Sequence, residues 1–154
     1  MKAKLDDMKE FLEKLNIPIR IACNTTAGWP VVVSLWFLYE DGILYCATQS
    51  KAKIVEYLKN EPRCGFEIAE DRPPYCGIRG QATARIDVAL GSEILEKLLV
   101  RYLGNKDNDL AKKLLAKRES EVAILLEPQQ IFTWDFSKRM KNLEKVQGQV
   151  KVCP

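Results

Sequence analysis

One stretch of the sequence, from Pro30 to Lys53, contains two strand patterns, a turn and the start of a helix in close succession. Its first part is apolar, β-branched and aromatic, which is typical of a buried strand. Asp41-Gly42 then predicts a tight hairpin turn, because these residue types accept the positive φ that such a turn needs. The second strand pattern, from Ile43 to Thr48, ends in polar residues. The hairpin therefore offers an apolar wall and, at its end, a place for an anion.

The end of this hairpin predicts a phosphate-binding site. Thr48, Ser50, Lys51 and Lys53 supply hydroxyl groups and positive charge directly before a helix. A helix start adds unpaired backbone N–H groups and the positive end of the helix dipole, and both favour an anion. The plainer interpretation is a pair of solvated lysines, since charge near a helix is common. Beside the apolar wall, however, a phosphate site suits a nucleotide-like cofactor with a flat ring.

Length and composition restrict the class of protein. The 154 residues fit a single domain, residues 1–154, and a hydrophobic fraction of 47% is enough for a core. A membrane-spanning helix needs about 20 consecutive apolar residues, and no apolar run in the sequence is that long. The charged N-terminus lacks the apolar segment of a signal peptide, so we expect a cytoplasmic protein without membrane association. A net charge of +3, evenly spread, does not indicate nucleic-acid binding.

Histidine does not occur in the sequence, and the cysteines show no metal-binding spacing. The lack of histidine excludes Ser-His-Asp hydrolysis, Cys-His proteolysis and histidine metal sites. Proton transfer would have to use carboxylates, Lys, Tyr, water or a cofactor, and the sequence identifies no catalytic residue. We predict that all five cysteines are free and structural, because most lie in strand patterns. They are Cys23, Cys46, Cys64, Cys76 and Cys153.

The remaining segments predict a mainly β fold with peripheral helices. Apolar residues at helical spacing predict helices before Pro18, over 54–60, from a cap at Ser92 to Gly104, and over 110–118. Strand patterns cover 19–24, 30–39, 43–48, 63–70, 75–86, 121–127 and 130–136, the last two on either side of Pro128. Because most strands come in hairpins, about six of them are predicted to form a small antiparallel barrel. The lysine-rich tail, residues 137–154, is expected to be loosely held or to lie along a partner.

Four features in this order resemble the FMN-binding split-barrel proteins related to pyridoxamine 5'-phosphate oxidase. They are the strand Pro30–Phe37, Asp41-Gly42 with Leu44-Tyr45, Thr48–Lys53 with the helix and Asn60–Arg63 behind it, and Gly80-Gln81-Ala82. The similarity covers about residues 17–86, with a weaker match at 131–136. It implies a six-stranded antiparallel split β-barrel with peripheral helices.

Members of this family form dimers that bind a flavin in each of two grooves between the chains, and the resemblance assigns residues of this chain to such a site. The residues that would line the isoalloxazine ring are Val32, Val33, Ser34 and Leu35. Those that would hold the phosphate are Thr48, Ser50, Lys51 and Lys53. The other chain would contribute Gly80, Gln81 and Trp134.

The sequence departs from the true pyridoxamine 5'-phosphate oxidases. Those enzymes have an arginine near the position of Val31 and a lysine near that of Trp36, and their C-terminal substrate-binding pattern is not recognisable here. The chain is more similar to smaller archaeal and bacterial relatives, some of which bind FMN and some a deazaflavin coenzyme. The hypothesis is an FMN-dependent oxidoreductase of unknown substrate. The alternatives are a non-catalytic flavin carrier and a deazaflavin-dependent reductase.

Strand periodicity leads to a homodimer by a second route. Val32, Ser34 and Trp36 alternate with their neighbours and therefore share one face. A barrel this small is filled by its own side chains, so a flavin ring has to lie outside its wall. An apolar wall usually meets a partner, and a second copy would create two equivalent grooves. Trp36 and Trp134 are of a type that is more often found in a core than in contact with a ligand.

Overall fold

The computed structural model describes residues 8–140 of the chain, which form one antiparallel sheet and several helices. The helices are α1 (Lys9–Lys14), α2 (Lys53–Asn60), α3 (Gly91–Leu103), α4 (Asp109–Leu115) and a 3₁₀ helix (Arg118–Ser120). The strands are β1 (Ile19–Asn24), β2 (Pro30–Leu35), β3 (Phe37–Glu40), β4 (Ile43–Gln49), β5 (Arg63–Ala69), β6 (Cys76–Asp87) and β7 (Glu121–Asp135).

The sheet is strongly curved, and its two edge strands are connected in the chain by a single residue. Its strand order is β2-β1-β5-β6-β7-β4-β3, and every neighbouring pair is antiparallel. The edge strands β2 and β3 are separated in the chain only by Trp36, so the sheet has to curve back on itself. The predicted mainly β, antiparallel barrel is confirmed. It has seven strands rather than six: the run from Pro30 to Tyr39 is divided at Trp36, and the two patterns on either side of Pro128 form one strand.

Alternating apolar side chains fill the barrel. In β1, Ile19, Ile21 and Cys23 are buried and the residues between them are more exposed, as their periodicity predicts. Inward-facing residues of the other strands join them in one core, which Phe11 and Leu12 of α1 also contact. Each large apolar side chain buried in this way stabilises the fold by about 1.5–3 kcal/mol.

Arg101 of α3 fixes α1 to the barrel. Its guanidinium donates to the carbonyl oxygens of Glu13 at 3.2 Å and Leu15 at 2.7 Å, near the end of α1. It also lies 5.2 Å from the ring centroid of Phe37, within cation–π range. The first helix, which the sequence predicts before Pro18, is therefore held by a charge at the carbonyl end of its dipole.

Strand β7 corrects the prediction of two strands on either side of Pro128. The strand runs without a break from Glu121 to Asp135. Its register with β6 shifts, because Gln81 pairs with Gln130 whereas Ala82 pairs with Pro128. The extra residue forms a β-bulge, and a bulge tolerates a proline that has no N–H to donate.

One hairpin turn and one helix C-cap were predicted correctly, and one helix N-cap was not. Asp41 and Gly42 have φ angles of 51° and 87°, as the hairpin turn requires. Gly104 ends α3 with a φ of 77°. Ser92, however, lies inside the first turn of α3, and Asp87 Oδ1 instead accepts hydrogen bonds from the backbone N–H groups of the two residues before that helix, at 3.0 and 3.2 Å.

The cysteine prediction holds for three residues and fails for one. Cys23, Cys46 and Cys64 are free and buried, and burial raises the pKa of the Cys64 thiol to about 12. Cys76 is disulfide-bonded, so the prediction of five free thiols is wrong. Cys153 lies outside the described residues.

Membrane and metal features are both missing from the part of the chain that the structure describes. None of its helices combines the length and hydrophobicity needed to cross a bilayer, and α3 has only 13 residues. Between residues 8 and 140, no three potential metal ligands of the His, Cys, Asp or Glu types lie together. Of the predicted tail, residues 137–140 form a turn after β7, and residues 141–154 lie outside the described part.

Candidate functional site

The barrel wall is open along one line, between β2 and β4. The ladder between β3 and β4 starts at the pair Phe37–Cys46. Continuing this register would pair Leu35 with Thr48, but in the described sheet β2 pairs with β1 alone. The facing edges of β2 and β4 therefore carry backbone donors and acceptors without a ladder partner, and such groups can bind a ligand.

A cavity of about 420 Å³ lies at this opening. Its size is within the range of about 300–1,000 Å³ that is usual for small-molecule sites. The ends of β2 and β4 form one side, and α3, α4 and the start of β7 form the other. The lining residues are Ser34, Leu35, Trp36, Ala47, Thr48, Gln49, Leu95, Leu98, Leu114, Lys117 and Glu121.

The fold brings together part of the predicted cofactor set. Ser34 and Leu35, predicted to line the ring, lie in the same cavity as Thr48, predicted to hold the phosphate. Ser50 and Lys51 follow β4 immediately and are exposed. The polar end of β4 therefore adjoins the cavity, since Gln49, which lines the cavity, directly precedes Ser50.

The start of α2 lies directly beyond this polar end. Its N-cap residue is Ala52, whose methyl side chain cannot accept a hydrogen bond from the free N–H groups of the first turn. Lys53 is exposed, and its Nζ lies 3.1 Å from Glu56 Oε2, which raises the pKa of the ammonium group. Because exposed ion pairs of this kind are weak, Lys53 can exchange Glu56 for a bound anion.

A second concave region lies on the outer face of β1, β5 and β6. Two adjoining hollows of about 670 Å³ and 490 Å³ share Ala22, Gly65 and Gln81. Val32, whose side chain is 64% exposed, borders the second hollow together with Phe132. Val32 and Gln81 therefore lie on this outer face, apart from the cavity between β2 and β4.

Three of the predicted ring contacts face the barrel. Val33 and Leu35 lie on the same face of β2 and pack against the barrel core, although Leu35 also borders the cavity at the split. Gly80 also faces inward, since a Cβ there would lie 2.7 Å from the ring of Phe66. Close packing inside its own barrel explains why this residue is a glycine. Its backbone also borders the outer hollow.

The two predicted tryptophans have different surroundings. Trp36 stacks on Tyr102 of α3 with ring centroids 4.9 Å apart and an interplanar angle of 8°. It belongs to the apolar layer under α3, so the exposed wall consists of Val32 and Ser34 without it. Trp134 is half-buried on the outer face, with the Arg79 guanidinium 5.7 Å from its ring centroid.

Glu121 is a site residue that the sequence patterns missed. It is the single polar or charged side chain that is buried among residues 8–140, with 5% exposure. Its Oε1 accepts a hydrogen bond from Gln49 Nε2, and Ser120 Oγ donates to Gln49 Oε1 at 2.5 Å. Burial raises the pKa of the Glu121 carboxyl, and the bond from Gln49 opposes part of that rise. A glutamate at the first position of a strand pattern is usually exposed, so no local signal marks this one.

No family model and no curated protein matches the sequence. Solved structures do match: an F420 reductase has a TM-score of 0.68 at 18% identity, covering 80% of this chain and 94% of its own. A candidate pyridoxamine 5'-phosphate oxidase from Listeria innocua has a TM-score of 0.62 at 17% identity, with coverages of 86% and 96%. The heme storage protein HutZ from Vibrio cholerae has a TM-score of 0.63 at 17% identity, with coverages of 82% and 92%.

This chain has the split-barrel fold. The open line between β2 and β4 is the split of the barrel, and the sequence resemblance to this fold is confirmed at the level of structure. The three neighbours differ in the ligands that their names imply, so the fold alone does not determine what this split barrel binds. That question depends on the residues at its split.

The residues at the split fit a flavin better than a haem. The axial ligands of haem iron are usually His, Cys, Met or Tyr, and none of these residue types lines the cavity. A flavin phosphate needs hydroxyl, ammonium and backbone N–H donors, and Ser50, Lys51 and the start of α2 supply them. An isoalloxazine ring needs a flat apolar wall, and Leu95 and Leu98 of α3 supply one, with the part of Leu35 that borders the cavity.

Proposed function

We propose that this chain is the subunit of a homodimeric oxidoreductase that binds FMN at the split of the barrel. One observation carries the proposal: the split places Ser34, Leu35 and Thr48 in a single cavity, next to Ser50 and Lys51 at the end of β4. A ring-sized apolar space and a cationic, hydroxyl-rich end are thereby joined in one chain.

The chain's own residues orient and shield the ligand. Backbone groups on the open edges of β2 and β4 are available to the polar edge of the ring, and Leu95 and Leu98 exclude water from one side of it. Lys51, Lys53 and the first turn of α2 neutralise the phosphate. When bound, a flavin supplies the hydride chemistry itself, which suits a chain without histidine. Since Val31 and Trp36 are uncharged, we do not propose the pyridoxamine 5'-phosphate oxidase reaction.

A second copy of the chain would complete the site. Gln81, Trp134 and the backbone of Gly80 lie on the outer face rather than in the cavity, so only another chain can bring them to the flavin. The same face exposes Val32, which favours burial against a partner. Its central row carries Arg20, Glu67 and Arg79 in cross-strand register, with alternating charges. A two-fold axis that passes between Arg20 and Glu67 would set each of them opposite the other's copy.

The second candidate is a reductase that uses a deazaflavin coenzyme, and the structural match to an F420 reductase favours it. Deazaflavins share the tricyclic ring, the polyol and the phosphate, so the same cavity would serve. A flavin carrier without turnover is the third. Mass spectrometry of the small molecule that co-purifies separates FMN from a deazaflavin, and anaerobic reduction by NAD(P)H separates an enzyme from a carrier.

Lys51→Ala with Lys53→Ala is expected to weaken FMN binding by about tenfold to a hundredfold, because loss of charge-assisted bonds to a phosphate costs about 1.5–3 kcal/mol. Riboflavin, which has no phosphate, should lose little affinity. Fluorescence titration with both ligands measures the difference. Lys59→Ala is the matched control, since Lys59 is an exposed lysine in the last turn of the same helix. Equal losses for FMN and riboflavin would rule out a phosphate site here.

A further inference from the structure

The carboxyl group of Glu121 is buried, and burial of its ionised form is unfavourable unless a hydrogen-bond donor or an opposite charge compensates it. The cavity at the split is otherwise lined mainly by apolar side chains and neutral polar groups, and Glu121 is 5% exposed. Burial without an opposite charge disfavours the ionised form. Lys117 is the other charged side chain lining this cavity within the described residues. No other titratable group contributes from β4, α3 or α4, whose lining residues are neutral.

The carboxyl is held in a fixed orientation. Gln49 Nε2 donates to Glu121 Oε1, and the Gln49 side chain is itself fixed by the hydroxyl of Ser120. Gln49 and Glu121 are also paired in the ladder between β4 and β7. Gln49 engages Oε1, and Glu121 lines the cavity, so we infer that Oε2 is the oxygen available to a ligand.

The position of Glu121 along the cavity indicates which part of a ligand it meets. Ser34 and Leu35 form the side assigned to the ring, and Ser50 begins the phosphate end. If the register of β3 and β4 is continued, Leu35 stands opposite Thr48 and Ser34 opposite Gln49, so Glu121, the ladder partner of Gln49, is level with Ser34 and one residue short of Ser50. In a flavin, the segment between ring and phosphate is a polyol chain, and its hydroxyl groups are donors that match a carboxylate acceptor.

We propose that Glu121 is the specificity-determining residue of the split-barrel cavity, where its carboxylate accepts a hydrogen bond from a hydroxyl of the polyol chain of the flavin. This rests on the proposed function, because it concerns the same cavity and the same ligand class. It adds a selection rule: a ligand with a hydroxyl-bearing linker is preferred over one that has the ring alone.

The proposal couples binding to pH with a definite sign. A donor from the ligand stabilises the ionised carboxyl, so binding should strengthen as pH rises through the raised pKa of Glu121. Riboflavin is the suitable probe, because the FMN phosphate has a second pKa near about 6 and would add its own pH dependence. Lumiflavin, which has the ring without the polyol chain, reports on ring contacts alone.

The test titrates riboflavin and lumiflavin into the full-length wild type, Glu121→Gln and Glu119→Gln between about pH 5 and pH 8. Glu119 is an exposed carboxylate two positions earlier and serves as the matched control. In Glu121→Gln, riboflavin affinity should fall about tenfold at the upper pH, as expected for loss of a charged hydrogen bond, and its pH dependence should disappear. Glu119→Gln should behave as the wild type, and lumiflavin should be unaffected by either change.

Glu121→Asp keeps the charge but withdraws it from the ligand, so riboflavin binding should weaken while its pH dependence is retained. Unchanged riboflavin affinity and pH profile in Glu121→Gln would overturn the proposal and leave the proposed function intact. An equal loss for riboflavin and lumiflavin would also overturn it, since the contact would then be to the ring. If the wild type binds neither FMN nor riboflavin, the proposed function fails, and the role of Glu121 fails with it.

Discussion

Gly91→Ala is expected to destabilise the fold by about 3 kcal/mol, the upper part of the usual range for overpacking. Gly91 begins α3 against the start of β7, and a Cβ at this position would overlap the carbonyl group of Glu121 and lie 2.7 Å from Val122 Cα. Both obstacles are backbone atoms, so no side chain can move aside. The helix would have to separate from the strand, and the cavity wall that Glu121 forms would shift with it.

Thermal unfolding measures this effect as a decrease in Tm of about 6–12 °C for a domain of this size. Ser92→Ala is the matched control at the next residue. Because Ser92 does not cap α3, this change should alter Tm little. A larger loss for Ser92→Ala than for Gly91→Ala would contradict the close approach of α3 to β7 and support the cap that the sequence predicts.

The sheet was largely predictable, and the two errors have physical causes. Alternation in β1 and the Asp41-Gly42 turn are local signals, and local energetics set both features. The break between β2 and β3 is different, because every residue around Trp36 favours a strand. At the break Trp36 stacks on Tyr102, a contact from α3 that no local pattern contains. At Pro128 the error was the reverse: two strands were predicted, but a β-bulge in the pairing with β6 keeps β7 continuous.

The site was predictable only where strand register determines it. Extending the hairpin register that Asp41-Gly42 sets puts Leu35 opposite Thr48, and both residues line the cavity although β2 and β4 form no ladder. Burial of Glu121 does not, because it depends on how α3 and the 3₁₀ helix cover the start of β7. Val33 shows a further limit: periodicity gave its face correctly, but the resemblance assigned it to the ring although its side chain fills the barrel.

Val32→Glu is expected to have the largest functional effect, since it places a charge on the face that forms the proposed dimer interface. Val32 is 64% exposed in the single chain, so the substitution removes little core packing. In a two-fold dimer the change occurs twice across one interface. Desolvating a carboxylate at an interface is unfavourable even where Arg20 and Arg79 line the same hollow, so the dissociation constant of the dimer should rise by about tenfold or more.

Loss of the dimer should also weaken flavin binding. Trp134, Gln81 and the backbone of Gly80 would no longer reach the cavity at the partner's split, although that cavity would remain intact in each monomer. Sedimentation velocity and flavin fluorescence, measured over the same dilution series, should therefore change together. Val88→Glu is the matched control, because Val88 is 70% exposed in the loop before α3 and lies outside the outer sheet face. Full FMN affinity in a folded, monomeric Val32→Glu protein would show that each chain binds its flavin alone.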